Sequence, residues 1–187
     1  MPRQTSSLAL RQSVLQRTLI DGNVTRYPQS YFLDFVIDGE SLIQRLKPSV
    51  DLVTALNRAW LPTVPDALDE LRGRRPASGL TEHRIALLVC GGCGDLECGA
   101  ITALLTVASD RVSWTEFRWE DGFQPRYEPI AAAGPGFTFD RASYEATLSE
   151  AYDRIAALPY DELAHRGRKF LWPWQWGWRL PWSRLPS

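Results

Sequence analysis

Apolar and polar positions along the chain follow two rhythms, one of period two and one near 3.6. Residues 14–20 and 31–37 are rich in β-branched and aromatic side chains and predict two strands. Asp21-Gly22-Asn23 is a tight-turn signal after the first strand, and Asp38-Gly39 closes the second, with Pro28 standing just outside it. Three further strands are expected in meander order, over 83–90, 99–108 and 112–120, with Ser109, Asp110 and Arg111 as a short hairpin connection. In the middle one Ile101, Ala103, Leu105 and Val107 share a face opposite Thr102 and Thr106. The third changes phase: Val112 and Trp114 fall on one face, Phe117 and Trp119 on the other. A bulge near Thr115 and Glu116 reconciles the two pairs. Residues 137–139 add a short strand.

Helical spacing appears in three places. Ser49 can cap a helix whose stripe is Val53, Leu56 and Trp60, with Pro48 before it and Pro62 behind. A second helix spans about 65–72, with Pro65 in its first turn, Asp66 near its start and Gly73 at its close. Asp140 caps the third, whose apolar stripe is Tyr144, Leu148, Ile155 and Leu158, with Tyr152 filling the same face. Phe139 and Tyr144 stand at staple positions around that cap, and Pro159 ends the helix. These elements predict an α+β fold, a mostly antiparallel sheet with helices packed on one face. Residues 1–12 are expected to be flexible, 13–160 to form a single domain, and 161–187 to form an extended C-terminal tail. The linker-like stretch 73–81 joins helix to sheet inside that domain.

A chain of 187 residues can bury about 70% of its unfolded surface, so a hydrophobic content of 44% suffices for a core without disulfides. The net charge of -1 does not imply a broad nucleic-acid surface. The first residues lack the apolar run of a signal peptide, and no stretch reaches the roughly 18 apolar residues of a membrane span. A cytoplasmic, thiol-reducing setting is therefore expected. The chain has no phosphate-binding glycine loop, dinucleotide fingerprint, paired-histidine zinc-protease motif or serine nucleophile elbow. It discloses no reaction.

All three cysteines fall in one string, V-C-G-G-C-G-D-L-E-C-G-A, as Cys90, Cys93 and Cys98. Strands on both sides place them at a hairpin tip. Thiolates at i and i+3 can grip one soft metal such as zinc, and Gly94 lets backbone N–H groups approach the sulfurs. A tetrahedral site needs a fourth ligand. Asp95 or Glu97 could supply it from the loop, His165 from the C-terminal segment, or a water could complete an open site. His83 is seven residues from Cys90 on one strand, roughly 23 Å away at ~3.3 Å per residue. The C-x-x-C spacing also suits thiol–disulfide exchange. However, the motif leaves a strand rather than opening a helix, and Asp95 and Glu97 oppose thiolate formation. The bland alternative is that these are small packing residues in a tight loop, with Cys90 as plain core.

The segments Y-F-L-D-F-V-I-D-G-E-S-L at 31–42, V-C-G-G-C-G-D-L-E-C-G-A-I-T at 89–102 and V-S-W-T-E-F-R-W-E at 112–120 resemble a group of small uncharacterised bacterial proteins. The resemblance spans about residues 27–160. It implies that the cysteine hairpin belongs to the fold, and it supplies no catalytic residues.

Five of the eight tryptophans lie near the C-terminus, at Trp172, Trp174, Trp176, Trp178 and Trp182. Arg166, Arg168, Lys169, Arg179 and Arg184 accompany them, and no acid follows Glu162. The first four alternate, so an extended segment presents four indoles on one side. Such a tail can cover a groove on its own domain, meet a membrane surface through its indoles and arginines, or bind a protein partner. Stacking on single-stranded nucleic acid is physically open but is disfavoured by the net charge. Other candidates for chemistry are weaker. Asp34, Asp38 and Glu40 surround the end of the second strand and read as turn-forming, solvated residues. Asp161 and His165 are four apart, and no neighbouring nucleophile completes a triad. The sequence thus points to a non-enzymatic binding or interaction protein, with a small zinc-binding protein and a thiol oxidoreductase as alternatives.

Overall fold

The computed structural model describes residues 5–21, 23–77, 79–81, 83–121 and 128–162. The fold is α+β with antiparallel sheets. One long hairpin starts it. β1 (Leu8–Gln16) pairs with β4 (Gln29–Ile37), and the ladder continues outward as β2 (Leu19–Asp21) against β3 (Val24–Arg26). Asp38 and Gly39 both have positive φ, 52° and 86°, the backbone of a two-residue type I′ turn. That turn leads into β5 (Glu40–Ser41), which pairs back on β4. Residues 1–12 are therefore not uniformly loose. The strand reaches back to Leu8, and Leu10 is buried opposite Phe35.

The second sheet runs in the order β10 (Glu128–Pro129), β9 (Arg111–Glu120), β8 (Ala100–Val107), β7 (Arg84–Cys90), β6 (Leu52–Val53), with β11 (Phe137–Asp140) also on β9. The expected meander is present as β7–β8–β9. The phase change in β9 is a bulge: the register shifts between Thr102 and Leu104, and Glu116 takes φ 50°. The sheet is not single. The two sheets meet at both margins, where Ser6 N–H donates to Thr138 O at 2.7 Å and Leu33 N–H to Leu56 O at 2.9 Å. Backbone pairing thus closes on itself around one core.

The helix expected from Ser49 to Trp60 does not form. Leu52 and Val53 are β6, Asn57 caps a 3₁₀ turn over Arg58–Thr63, and residues 52–54, 56 and 57 are all buried. A helix would have exposed one side of this stretch. Held between β7 and β4, it buries both sides, and that pairing overrides the helical spacing. The nearby helix is instead α1 (Leu42–Leu46), capped by Ser41. α2 (Val64–Leu71) matches expectation, with Pro65 at its start and Gly73 at φ 67° beyond its end.

Asp140 caps α3 (Arg141–Ser149) by accepting from Ser143 N–H at 2.9 Å. α4 (Ala151–Ala156) follows after a break at Glu150. The expected stripe of Tyr144, Leu148, Ile155 and Leu158 is buried across the break, joined by Ala151, but Tyr152 is exposed rather than filling the inner face. Val107 is likewise exposed, while Thr102 is buried.

Trp114 sits fully buried at the centre of the core. Its ring meets Phe35, Phe139 and Tyr144 edge-on, at centroid distances of 5.2, 5.0 and 5.9 Å. Its indole N–H donates to the Tyr144 hydroxyl at 3.3 Å, and that hydroxyl donates to Leu71 O at 2.8 Å. Each polar end of the aromatic cluster is thus satisfied.

Candidate metal centre

β7 and β8 carry the thiols to one place. Cys90 is the last residue of β7, Cys93 lies in the turn, and Cys98 ends a 3₁₀ turn over Leu96–Cys98. Four backbone features shape the loop between them. Gly91 N–H donates to Asp51 O and Gly94 N–H to Cys90 O, both at 2.8 Å. Asp95 Oδ1 accepts from Glu97 N–H at 2.9 Å, and Gly99 turns the chain into β8 with φ 100°.

Three glycines at this tip allow close approach, Gly91 against Leu15 and the other two against indole rings. A Cβ at Gly99 would stand 2.0 Å from the Trp119 ring, and one at Gly94 would stand 3.1 Å from Trp60. The loop is therefore clasped between two indoles. Sequence reasoning missed both of these walls. The glycines flanking the cysteines were the visible signal, but which aromatic ring pressed on them depends on β9 and the 3₁₀ turn coming alongside.

The three sulfurs all lie within 4.8 Å of one another, and Cys93 Sγ is 3.0 Å from Cys98 Sγ. Cys90 is half-buried, and the other two are exposed. Burial pushes the Cys93 thiol up, and its hydrogen bond to Cys98 adds to this, bringing it to about 12. Burial also opposes ionisation of Cys90. There the N–H groups of Cys93 and Gly92, with the two neighbouring thiols, outweigh it and hold Cys90 below the ordinary thiol value. Cys90 is thus set up to carry negative charge, and Cys93 retains a proton that a cation would displace.

Asp95 does not join the sulfurs, because its carboxylate is the cap of the 3₁₀ turn. Among the described residues no carboxylate or imidazole completes the group. His83 is at the opposite end of β7, as its spacing required. His165 and the tryptophans at 172, 174, 176, 178 and 182 lie outside the described residues.

A buried ionic network crosses β7, β8 and β9. Arg84 Nε lies 2.8 Å from Glu120 Oε1, and Arg84 Nη2 donates to Thr102 Oγ1 at 2.7 Å and to Glu116 O at 2.9 Å. Thr102 Oγ1 and Arg118 Nε both donate to the same Glu120 oxygen, at 2.8 and 2.6 Å. Burial works against ionising Glu120, but Arg118, Thr102 and Arg84 together hold its carboxyl below the ordinary value. The positive-φ bulge at Glu116 turns its carbonyl toward Arg84. No local motif reveals this network, since Arg84, Thr102 and the group Glu116, Arg118 and Glu120 are 14 or more residues apart.

The other candidates resolve separately. Asp34 is not solvated: it is 2% exposed, accepts from Ser41 Oγ at 2.5 Å, and leaves Oδ1 without a hydrogen bond. Burial pushes its carboxyl up, against the Ser41 hydrogen bond and the Arg11 charge. Asp38 accepts from Ser7 N–H at 2.7 Å, and Glu40 pairs with Arg45 at 2.8 Å. These are structural partners and form no carboxylate site. Asp161 accepts from Gln29 N–H at 2.8 Å, which ties the chain's exit to β4. No helix among the described residues is long and apolar enough to cross a membrane. Comparison with protein-family models, with curated proteins and with solved structures finds no match to this chain.

Proposed function

We propose that this chain is a non-enzymatic metal-binding protein in which Cys90, Cys93 and Cys98 hold one soft divalent ion, zinc by preference. The observation that carries this reading is the convergence of all three cysteine sulfurs within 4.8 Å at one hairpin tip. Tetrahedral zinc with Zn–S near 2.3 Å sets its sulfurs about 3.8 Å apart. The cluster reaches that spacing by a small parting of Cys93 and Cys98, now 3.0 Å apart. A water or His165 would take the fourth position.

The metal would order the tip between Trp60 and Trp119 and present it as a rigid recognition surface. A structural role fits a ligand group that, among the described residues, is made of the three sulfurs alone.

The test is metal analysis of the untagged chain, followed by cobalt substitution. One equivalent of zinc is expected. Cobalt should give intense thiolate charge-transfer absorption, which Cys93→Ser weakens. Metal-free protein that also gives no such absorption with added cobalt rejects the reading.

The 3.0 Å contact between Cys93 and Cys98 favours one second reading, reversible disulfide formation. Two thiols would pass two electrons and two protons to an external disulfide, which becomes two thiols. Metal-free protein that loses two titratable thiols to oxidised glutathione, and regains them with reductant, supports that reading instead.

A further inference from the structure

The long hairpin extends past the part of the molecule that covers it. Gln16 faces Gln29 and Leu19 faces Arg26, so the ladder passes from β1–β4 into β2–β3 with no residue gained or lost on either side. Between these pairs Arg17 N–H donates to Pro28 O at 3.1 Å. Side chains two apart on such a ladder share a face. The face that carries Leu33, Phe35 and Ile37 into the core therefore continues outward through Tyr31, Val14, Tyr27 and Ile20, interspersed with Gln16, Gln29, Thr18 and Thr25. Along it, cover is lost: Val14 is 50% exposed, Tyr27 59% and Ile20 76%. The outer edge of β3 carries no partner strand among the described residues. A two-stranded ribbon with an uncovered apolar face is marginal in water.

The chain's own exit lies at this edge. Asp161 accepts from Gln29 N–H at 2.8 Å, and Arg58 lies over the Tyr160 ring at 5.1 Å from its centroid. From that anchor 25 residues remain, 163–187. Extended, they span about 80 Å, against about 20 Å for the projecting ribbon. Their pattern suits a strand. Trp172, Trp174, Trp176 and Trp178 share one parity, Pro173 and Pro181 have the other, and Pro186, at the tryptophan parity, ends the pattern. In a strand, residues of one parity direct their N–H groups to one edge. A segment that pairs through its tryptophan positions before Pro186 thus places the nitrogens of Pro173 and Pro181 on the open edge, where no bond is lost.

We infer that residues 170–185 dock in cis on this ribbon, adding a strand to the free edge of β3 and laying their indoles over Tyr31, Val14, Tyr27 and Ile20. This inference is independent of the metal site. Its occupant is this chain's own segment. A second copy's tail or a lipid surface would compete for the same indoles.

Limited trypsinolysis of the full-length chain tests it, because Lys169, Arg179 and Arg184 flank or lie within the segment. Ile20→Asp changes a side chain that is 76% exposed and so leaves the domain folded. Docking predicts slow cleavage after Arg179 in the parent chain and cleavage about tenfold faster in Ile20→Asp and in Tyr27→Asp. The protection should be independent of protein concentration. Equal cleavage rates in parent and variants overturn the inference. So does protection that fades on dilution, which assigns the ribbon to a second copy. Protection that appears only with phosphatidylglycerol vesicles assigns the indoles to a membrane surface and also overturns it.

Discussion

Trp114 and the cysteine tip use the same residue type for opposite ends. At Trp114 the indole is fully buried, edge-on to three aromatic rings, with its N–H satisfied. At the tip Trp60 and Trp119 are only partly buried and press on Gly94 and Gly99, holding a loop whose Cys93 and Cys98 stay exposed. In the first region, aromatic area is converted into stability. In the second, it positions reactive groups that the core would otherwise have silenced. A thiol in the core is inert, and a thiol on an unsupported loop has no neighbours. The tip obtains exposed but convergent sulfurs by letting glycine admit two rings against its backbone.

The comparison breaks most sharply at Trp114. Removing it leaves a large cavity and an unsatisfied Tyr144 contact, so Trp114→Ala should cost about 5 kcal/mol. Urea denaturation reads this as a large fall in the midpoint. Variant protein that still folds should bind cobalt as the parent does. A cost below about 2 kcal/mol would mean the centre of the core lies elsewhere.

The ionic network behind the tip is next. Glu120→Gln leaves Arg84 buried without its counter-charge, at a cost of about 3 kcal/mol. The pH dependence follows from the depressed Glu120 carboxyl. The folded state holds this proton more weakly than the unfolded chain does. Its contribution is therefore full above the ordinary carboxyl value near 4.5 and is lost as pH falls through the lower folded value. Parent and Gln variant should converge in stability as pH drops below about 4.5. A gap between them that stays constant across this range would remove Glu120 from the network.

The smallest effects separate clasp from thiols. A methyl at Gly99 meets the Trp119 ring and a φ of 100°, so Gly99→Ala should cost about 2 kcal/mol and weaken metal binding as well. Cys93→Ser alters an exposed atom and should change metal-free stability by no more than about 0.5 kcal/mol while abolishing tight binding. If Gly99→Ala were silent in both measurements, the indole clasp would be incidental to the site.

Local chemistry was enough for much of this molecule. The Asp38-Gly39 turn, the Asp140 cap, the α2 boundaries and the β7–β8–β9 meander with its bulge all depend on residues within a few positions of one another. So does the cysteine hairpin, because nine residues between two strands leave the thiols few places to go. Three things required the whole fold. Residues 52–57 carry helical spacing, and only the arrival of β4 and β7 on either side makes extension the way to bury them. Asp34 looked like a solvated turn residue until β5 brought Ser41 over it. The walls of the site, Trp60 and Trp119, and the Arg84–Glu120 pair come from elements distant in sequence, whose approach no local period encodes. Turns and caps are short-range hydrogen bonds and leave a trace in the sequence. Burial on a second face, and the partner of a buried charge, are set by what packs across from it.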